Sequence, residues 1–272
     1  MAGRIQKLGI AIGTKGVGKT FTTTQLIQQY LYGNPAKGVP GRKVLILDIN
    51  DEYEQINSIP LNYVAAFAAH PTIEARRIRP YNTDGTNMTL DQFAQALFFT
   101  LHNFKGGMLL LEDINKYISD NMPNDLIGAI CTNRHSDMDI IIHFQSIGRI
   151  SPKLWQNLNY IRFHKITDSV ARHKNKFEDK VEMFTIAEFI VNEQYRINPR
   201  YYLYIDVDDE KIRGNINSQM IEKALDDYIS NDYSKLISPL LKRVDFSSGK
   251  NVKYNQQTAI KSVKDKLREK YF

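Results

Sequence analysis

Residues Gly13 to Thr20 read GTKGVGKT, the spacing G-x-x-x-x-G-K-[ST]. That spacing binds phosphate when it joins a strand to a helix. Gly13, Gly16 and Gly18 free the backbone to turn N–H groups inward around anionic oxygens. The Lys19 ammonium can reach β- and γ-phosphates, and the Thr20 hydroxyl can hold Mg²⁺. The expected nucleotide-binding set is Gly13, Thr14, Lys15, Gly16, Val17, Gly18, Lys19, Thr20 and Phe21. ATP and Mg²⁺ are the implied ligands. A chance glycine loop is the competing reading, and the flanking sequence argues against it.

Hydrolysis needs a second element that brings a carboxylate to the metal and a base to the water. The run LLLEDI supplies Glu112 and Asp113 at the end of an apolar strand. The usual order at such a strand end is Asp then Glu, and here it is reversed. Glu112 then takes the metal-side position and Asp113 the water-activating one. Solvated acids at an ordinary strand end are the alternative.

The elements that must position these groups follow from pattern. KLGIAIG (Lys7 to Gly13) is a short apolar strand feeding the glycine loop, and Thr20 to Gly33 is a helix stopped by glycine. RKVLILDIN, MLLLED, MDIIIHFQ and NYIRFHKI are further apolar strands. NYVAAFAAH reads as a short helix or strand closed by Pro71, and RRIRPYN as an edge strand limited by Pro80. Thr89 can cap a helix with Phe93, Ala96, Leu97 and Leu101 on one face, and Pro123 opens another over NDLIGAICTNR. Ser151-Pro152 starts a short helix with Trp155. The alternation predicts an α/β fold, a mostly parallel sheet flanked by helices. Ligands in such sheets sit at the carboxyl ends of the strands, where the candidate residues fall. Past Val207 the pattern weakens to one or two helices and a linker. The expected division is a domain over 1–207 and a helical C-terminal extension over 208–272.

The chain has 272 residues, a net charge of +6 and one cysteine, Cys131. A lone cysteine makes no internal disulfide, which fits a reducing compartment. The N-terminal MAGRIQKLGI does not read as a signal peptide, since its apolar run belongs to the first strand. No apolar stretch approaches the length of a membrane span. From Leu241 to Phe272 there are nine Lys/Arg and three Asp/Glu, an excess equal to the charge of the whole chain. Such a tail suggests a polyanion or an acidic protein surface as partner, or a solvated face of an amphipathic helix carrying Ile260, Val263 and Leu267. His135, His143 and His164 form no metal spacing with a cysteine, so zinc is not expected.

Three segments carry a resemblance. VLILDINDEY resembles the second strand of the HerA/FtsK superfamily of DNA-pumping ATPases, whose members often read D-x-x-x-E-Y there, and the matching residues are Asp48, Glu52 and Tyr53. IIIHFQS places Gln145 where the superfamily carries a glutamine that senses the γ-phosphate. CTNRHSDMDI resembles the Arg-His-rich turn of zonula-occludens-toxin-like phage assembly ATPases, and the same region offers an arginine finger in viral genome-packaging ATPases. The resemblance spans about residues 5–166 and implies a P-loop NTPase of the RecA-like, additional-strand type.

It also implies roles. Asp48 joins Thr20 and Glu112 at the metal, and Glu52 helps Asp113 polarise the attacking water. Gln145 reports γ-phosphate loss. Arg134 acts as a finger on a neighbour's nucleotide, with Arg149 and Arg172 as rivals or a helix-end arginine as the bland reading. The function implied is ATP-driven DNA translocation into a viral capsid by a pentameric or hexameric ring. The alternatives are phage extrusion with a membrane-protein partner, and a dimeric partition-type switch. The partition type carries a lysine five positions before Lys19, where this chain has Thr14 and a lysine one residue off. Lys165, Arg172, Lys174 and Lys176 either track a phosphate backbone or belong to a solvated loop. The implied location is the cytoplasm, the host's for a viral protein, or the virion, with no direct membrane insertion.

Overall fold

Eight strands form one sheet in the computed structural model, which describes residues 6–114, 124–131, 137–245 and 252–272. β1 (Leu8–Ile12) runs into the glycine loop and α1 (Lys19–Tyr32). α1 stops at Gly33, whose φ of 65° and close approach to the carbonyl of Val39 exclude a side chain. β2 (Lys43–Leu47), α2 (Val64–Ala69) and β3 (Ala75–Ile78) follow, so the ambiguous NYVAAFAAH is helical. α3 (Leu90–Asn103) opens on a capping box, with Thr89 accepting from the Gln92 amide and Gln92 accepting from the Thr89 amide. Its buried face is Phe93, Ala96, Leu97, Thr100 and Leu101.

Next come β4 (Gly107–Leu111), α4 (Asn124–Cys131), β5 (Asp139–Phe144), α5 (Pro152–Trp155) and β6 (Tyr160–His164). Every residue of β4 and β5 is buried, as continuous apolar runs require in a sheet covered on both faces. The strand order is β3-β2-β4-β5-β1-β6, all parallel, extended by two antiparallel strands, β7 (Tyr202–Asp206) and β8 (Lys211–Arg213). The edge position of β3 matches its proline-limited sequence.

Between β6 and β7 lies α6 (Val181–Tyr195), a helix without a clear sequence signal. Met183, Phe184, Ile186, Ala187, Ile190 and Val191 make it apolar over a wide face, so its amphipathic signal is weak. Phe184 joins Trp155 and Phe177, whose ring centroids lie 4.8 Å apart, in an aromatic cluster under α5 and β6. α7 (Ser218–Asn231), α8 (Tyr233–Leu236) and α9 (Gln256–Tyr271) complete the chain. Ala224, Leu225, Tyr228, Leu267 and Tyr271 of α7 and α9 belong to the same apolar core as the sheet. Among the described residues, no helix is long and apolar enough to cross a membrane.

Candidate functional site

Parallel strands bring their carboxyl ends to one edge, and the register decides which residues meet there. Leu47 pairs with Leu111 and Leu111 with Ile142, while Ile12 pairs with Phe144. The residues that follow (Asp48, Glu112, Gly13 and Gln145) therefore emerge together. Glu112 and Gln145 border a cleft of about 720 Å³ lined also by Lys19, Thr20, Glu52 and Asp113.

The glycine loop is pinned at its base. The Gly13 amide donates to the Phe144 carbonyl at 3.1 Å and the Thr14 amide to the Lys165 carbonyl at 2.8 Å. A Cβ at Gly13 would stand 2.7 Å from the Cβ of His164 and 2.8 Å from Val17 Cγ2, so the first glycine is required by packing. Gly16 and Gly18, at φ 83° and 84°, turn the loop through the left-handed region. Val17 is buried beneath it. The Lys19 ammonium donates to the carbonyls of Gly13 and Thr14 at 2.7 and 2.8 Å. Burial lowers its pKa, and the charges of Asp113, Glu112 and Glu52 oppose that shift.

The turn after β2 ties the loop to the acidic strand. Asp48 is fully buried, and its carboxylate accepts from the amides of Glu52 (2.9 Å) and Tyr53 (3.0 Å) and from Arg77 Nη1 (2.9 Å). The turn closes through Asp51 at φ 56°. Glu52 Oε2 accepts from the Thr20 hydroxyl at 2.8 Å, and the Tyr53 hydroxyl donates to Glu112 Oε1 at 2.7 Å. Asp48, expected as a metal ligand, does not line the cleft. Its oxygens are occupied within the fold, and the carboxylate beside Thr20 is Glu52.

Glu112 and Asp113 occupy different environments. Glu112 is 2% exposed and lies 2.9 Å from His143 Nδ1, its neighbour in register on β5. Burial pushes its pKa up, but the His143 imidazole and the Tyr53 hydroxyl outweigh it and hold the carboxyl below the ordinary value. Asp113 has φ 39°, a left-handed conformation that Asp tolerates. Its Oδ2 accepts from Gln145 Nε2 at 2.7 Å and Asn50 Nδ2 at 3.1 Å, at the cleft wall.

Behind the loop lies a polar row, Thr23, His143 and Arg162. His143 and Arg162 both pair in register with Ala11, whose small side chain lets them meet across β1. Thr23 of α1 joins them: its hydroxyl lies 2.9 Å from His143 Nε2 and accepts from Arg162. Arg162 also donates to the Lys19 carbonyl at 3.1 Å, so the row anchors the first turn of α1. His164 sits beside it, and burial, with the charges of Arg162, Lys19 and His143, pushes its pKa down to about 2. The available signal was a histidine and an arginine inside strands that are otherwise apolar.

Among the arginine candidates, Arg134 lies outside the described residues. Arg149 lines a second cleft beside Thr14, Lys15 and Gln145. Arg172 and Lys174 are exposed on the segment after β6. Lys165 donates to Asn192, and Lys176 to the carbonyls of Gly148 and Ile150 at 2.6 and 2.7 Å, so both brace the fold. Arg200, unassigned in sequence, lines the main cleft with its guanidinium 4.4 Å from the centre of the Phe21 ring.

No family model and no curated protein sequence matches this chain. Solved structures do. The genome packaging NTPase B204 from Sulfolobus turreted icosahedral virus 2, in complex with ATP-gammaS, superposes with a TM-score of 0.53 at 13% identity, over 76% of this chain and 95% of that one. Its complex with AMP gives a TM-score of 0.51 at 15% identity, over 78% and 98%. This chain has a P-loop NTPase fold. The N-terminal domain of zonular occludens toxin from Neisseria meningitidis is also similar, at a TM-score of 0.35 and 14% identity over 58% and 76%, too distant to carry an argument. The P-loop fold accounts for the position of the cleft, at the carboxyl edge where β1, β4 and β5 lie side by side.

Proposed function

We propose that the protein hydrolyses Mg-ATP in this cleft and uses the energy to move DNA during viral genome packaging, as an oligomeric ring. The observation that carries the reading is the convergence of Lys19, the Thr20–Glu52 pair, Glu112 and the Asp113–Gln145 pair on one cleft. The fold shared with a genome packaging NTPase solved with AMP and ATP-gammaS supports the choice of nucleotide and task.

The triphosphate lies along Gly13 to Thr20, where inward amides and the start of α1 offer positive potential. Lys19 exchanges its two carbonyl partners for phosphate oxygens. Thr20 and Glu112, all-oxygen donors beside Glu52, fit a hard cation such as Mg²⁺. When bound, the metal offsets charge on the β- and γ-phosphate oxygens. Tyr53 and His143 hold Glu112 in place through one carboxylate oxygen. Asp113, at the cleft wall, orients the attacking water and takes its proton, with Glu52 assisting. Gln145 is hydrogen-bonded to Asp113 and so couples the γ-phosphate position to the segment after β5. A neighbouring subunit supplies an arginine, with Arg134 as the candidate, and DNA and the capsid are the partners.

Steady-state ATPase activity with and without DNA, with the oligomer sized in the same samples, tests this. The expected result is DNA-stimulated turnover by a ring, reduced roughly 100-fold by Lys19→Ala. Turnover by a dimer with no response to DNA, or nucleotide binding without turnover, would sink it.

A further inference from the structure

We propose that Arg200 and Phe21 form the nucleoside end of the cleft, with Arg200 holding the α-phosphate and the pair stacking the base. This rests on the reading of the cleft as an ATP site and goes beyond it by assigning the residues that grip the nucleoside monophosphate part.

The sheet order carries the placement. β4 and β5, which deliver Glu112, Asp113 and Gln145, lie on one side of β1, and β6 and β7 lie on the other. Arg200 stands just before β7 and reaches the glycine loop from that second side. The acids and the glutamine belong to the hydrolysed end of a triphosphate, so Arg200 faces the opposite end. Its stem lies against the loop itself. A Cβ at Gly18 would stand 3.0 Å from Arg200 Cγ and 3.3 Å from its Cβ, so glycine there makes room for the arginine as well as for the turn.

Phe21 is 49% exposed in the first turn of α1 and, among the described residues, belongs to none of the apolar clusters. Its ring meets the Arg200 guanidinium. Among the described residues that guanidinium forms no ion pair, so its planar set of five N–H donors stays available to an anion. A cation over an aromatic face at the start of a helix suits one chemistry: an anionic phosphate followed by a flat ring.

Binding of AMP and ATPγS to the full chain tests the assignment. AMP keeps the base and α-phosphate and lacks the groups that Lys19 meets. Arg200→Ala should weaken both ligands by the same factor, about 10-fold. Phe21→Ala should weaken both as well, and Arg200→Lys should restore only part of the affinity, since an ammonium does not stack. Lys19→Ala should weaken ATPγS far more than AMP. Arg200 is exposed, so its variants should melt as the parent does. Unchanged AMP affinity in Arg200→Ala overturns the assignment, whether or not ATPγS is weakened. A parent protein that binds neither ligand condemns the ATP site itself, an outcome distinct from the other two.

Discussion

At the scale of single residues, the site depends on how a buried carboxylate is kept ionised. Glu112 has the Tyr53 hydroxyl, from the turn after β2, and the His143 imidazole, from β5, on one oxygen. Removing the hydroxyl leaves a buried acceptor short of a partner, at a cost of about 1–3 kcal/mol. Tyr53→Phe should therefore lower stability at pH 7 by about that amount. The sign with pH follows from linkage: the folded pKa of Glu112 lies below its ordinary 4.5, so its stabilisation is present above 4.5 and lost as pH falls through the folded value. Urea unfolding of parent and variant should converge as the pH drops below 4.5. A difference that persists unchanged in acid would show that Tyr53 acts through packing alone. The two acids of the reversed Glu-Asp order differ in their partners, Glu112 meeting Tyr53 and His143 and Asp113 meeting Gln145 and Asn50.

At the scale of elements, motifs work because strand ends and helix starts are held still. α1 is anchored from below by the Thr23–His143–Arg162 row, and the β2 turn by Asp48 and Arg77. α3 is remote from the cleft and held at its start by the Thr89–Gln92 box. Thr89→Ala should cost about 1 kcal/mol, read as a lower unfolding midpoint in urea, while nucleotide affinity stays unchanged. A change in affinity without a change in stability would mean that α3 takes part in the site.

At the scale of the whole molecule, the basic C-terminal segment is folded back onto the chain's own acid. Tyr271 is buried and donates to Glu182 at 2.5 Å, Lys264 lies 2.7 Å from Asp226 and 3.2 Å from Glu222, and Arg268 pairs with Glu222. Lys264, Arg268 and Lys270 of this tail thus meet acids of α6 and α7. The exposed ion pairs contribute little each, so the helix is held chiefly by Leu267 and Tyr271 in the main core. Tyr271→Ala should destabilise the entire protein by about 3 kcal/mol in a single unfolding transition. A separate early transition for the C-terminal helices, with the sheet intact, would show instead that the extension folds on its own.

The sequence by itself determined the glycine loop with its strand and helix, the acidic pair, and the parallel strand run, because each is written in local spacing and in apolar runs too short for anything but strands. It also pointed to Asp48, Glu52 and Gln145 as belonging together. Tertiary structure alone decided what those residues touch. Asp48 became a buried strut because the turn closes on it and Arg77 reaches it from the edge strand. His143 and Arg162 met because register sets both beside the small Ala11. Arg200 reached Phe21 because two antiparallel strands were added beyond β6, a pairing between segments 179 residues apart that no local pattern encodes.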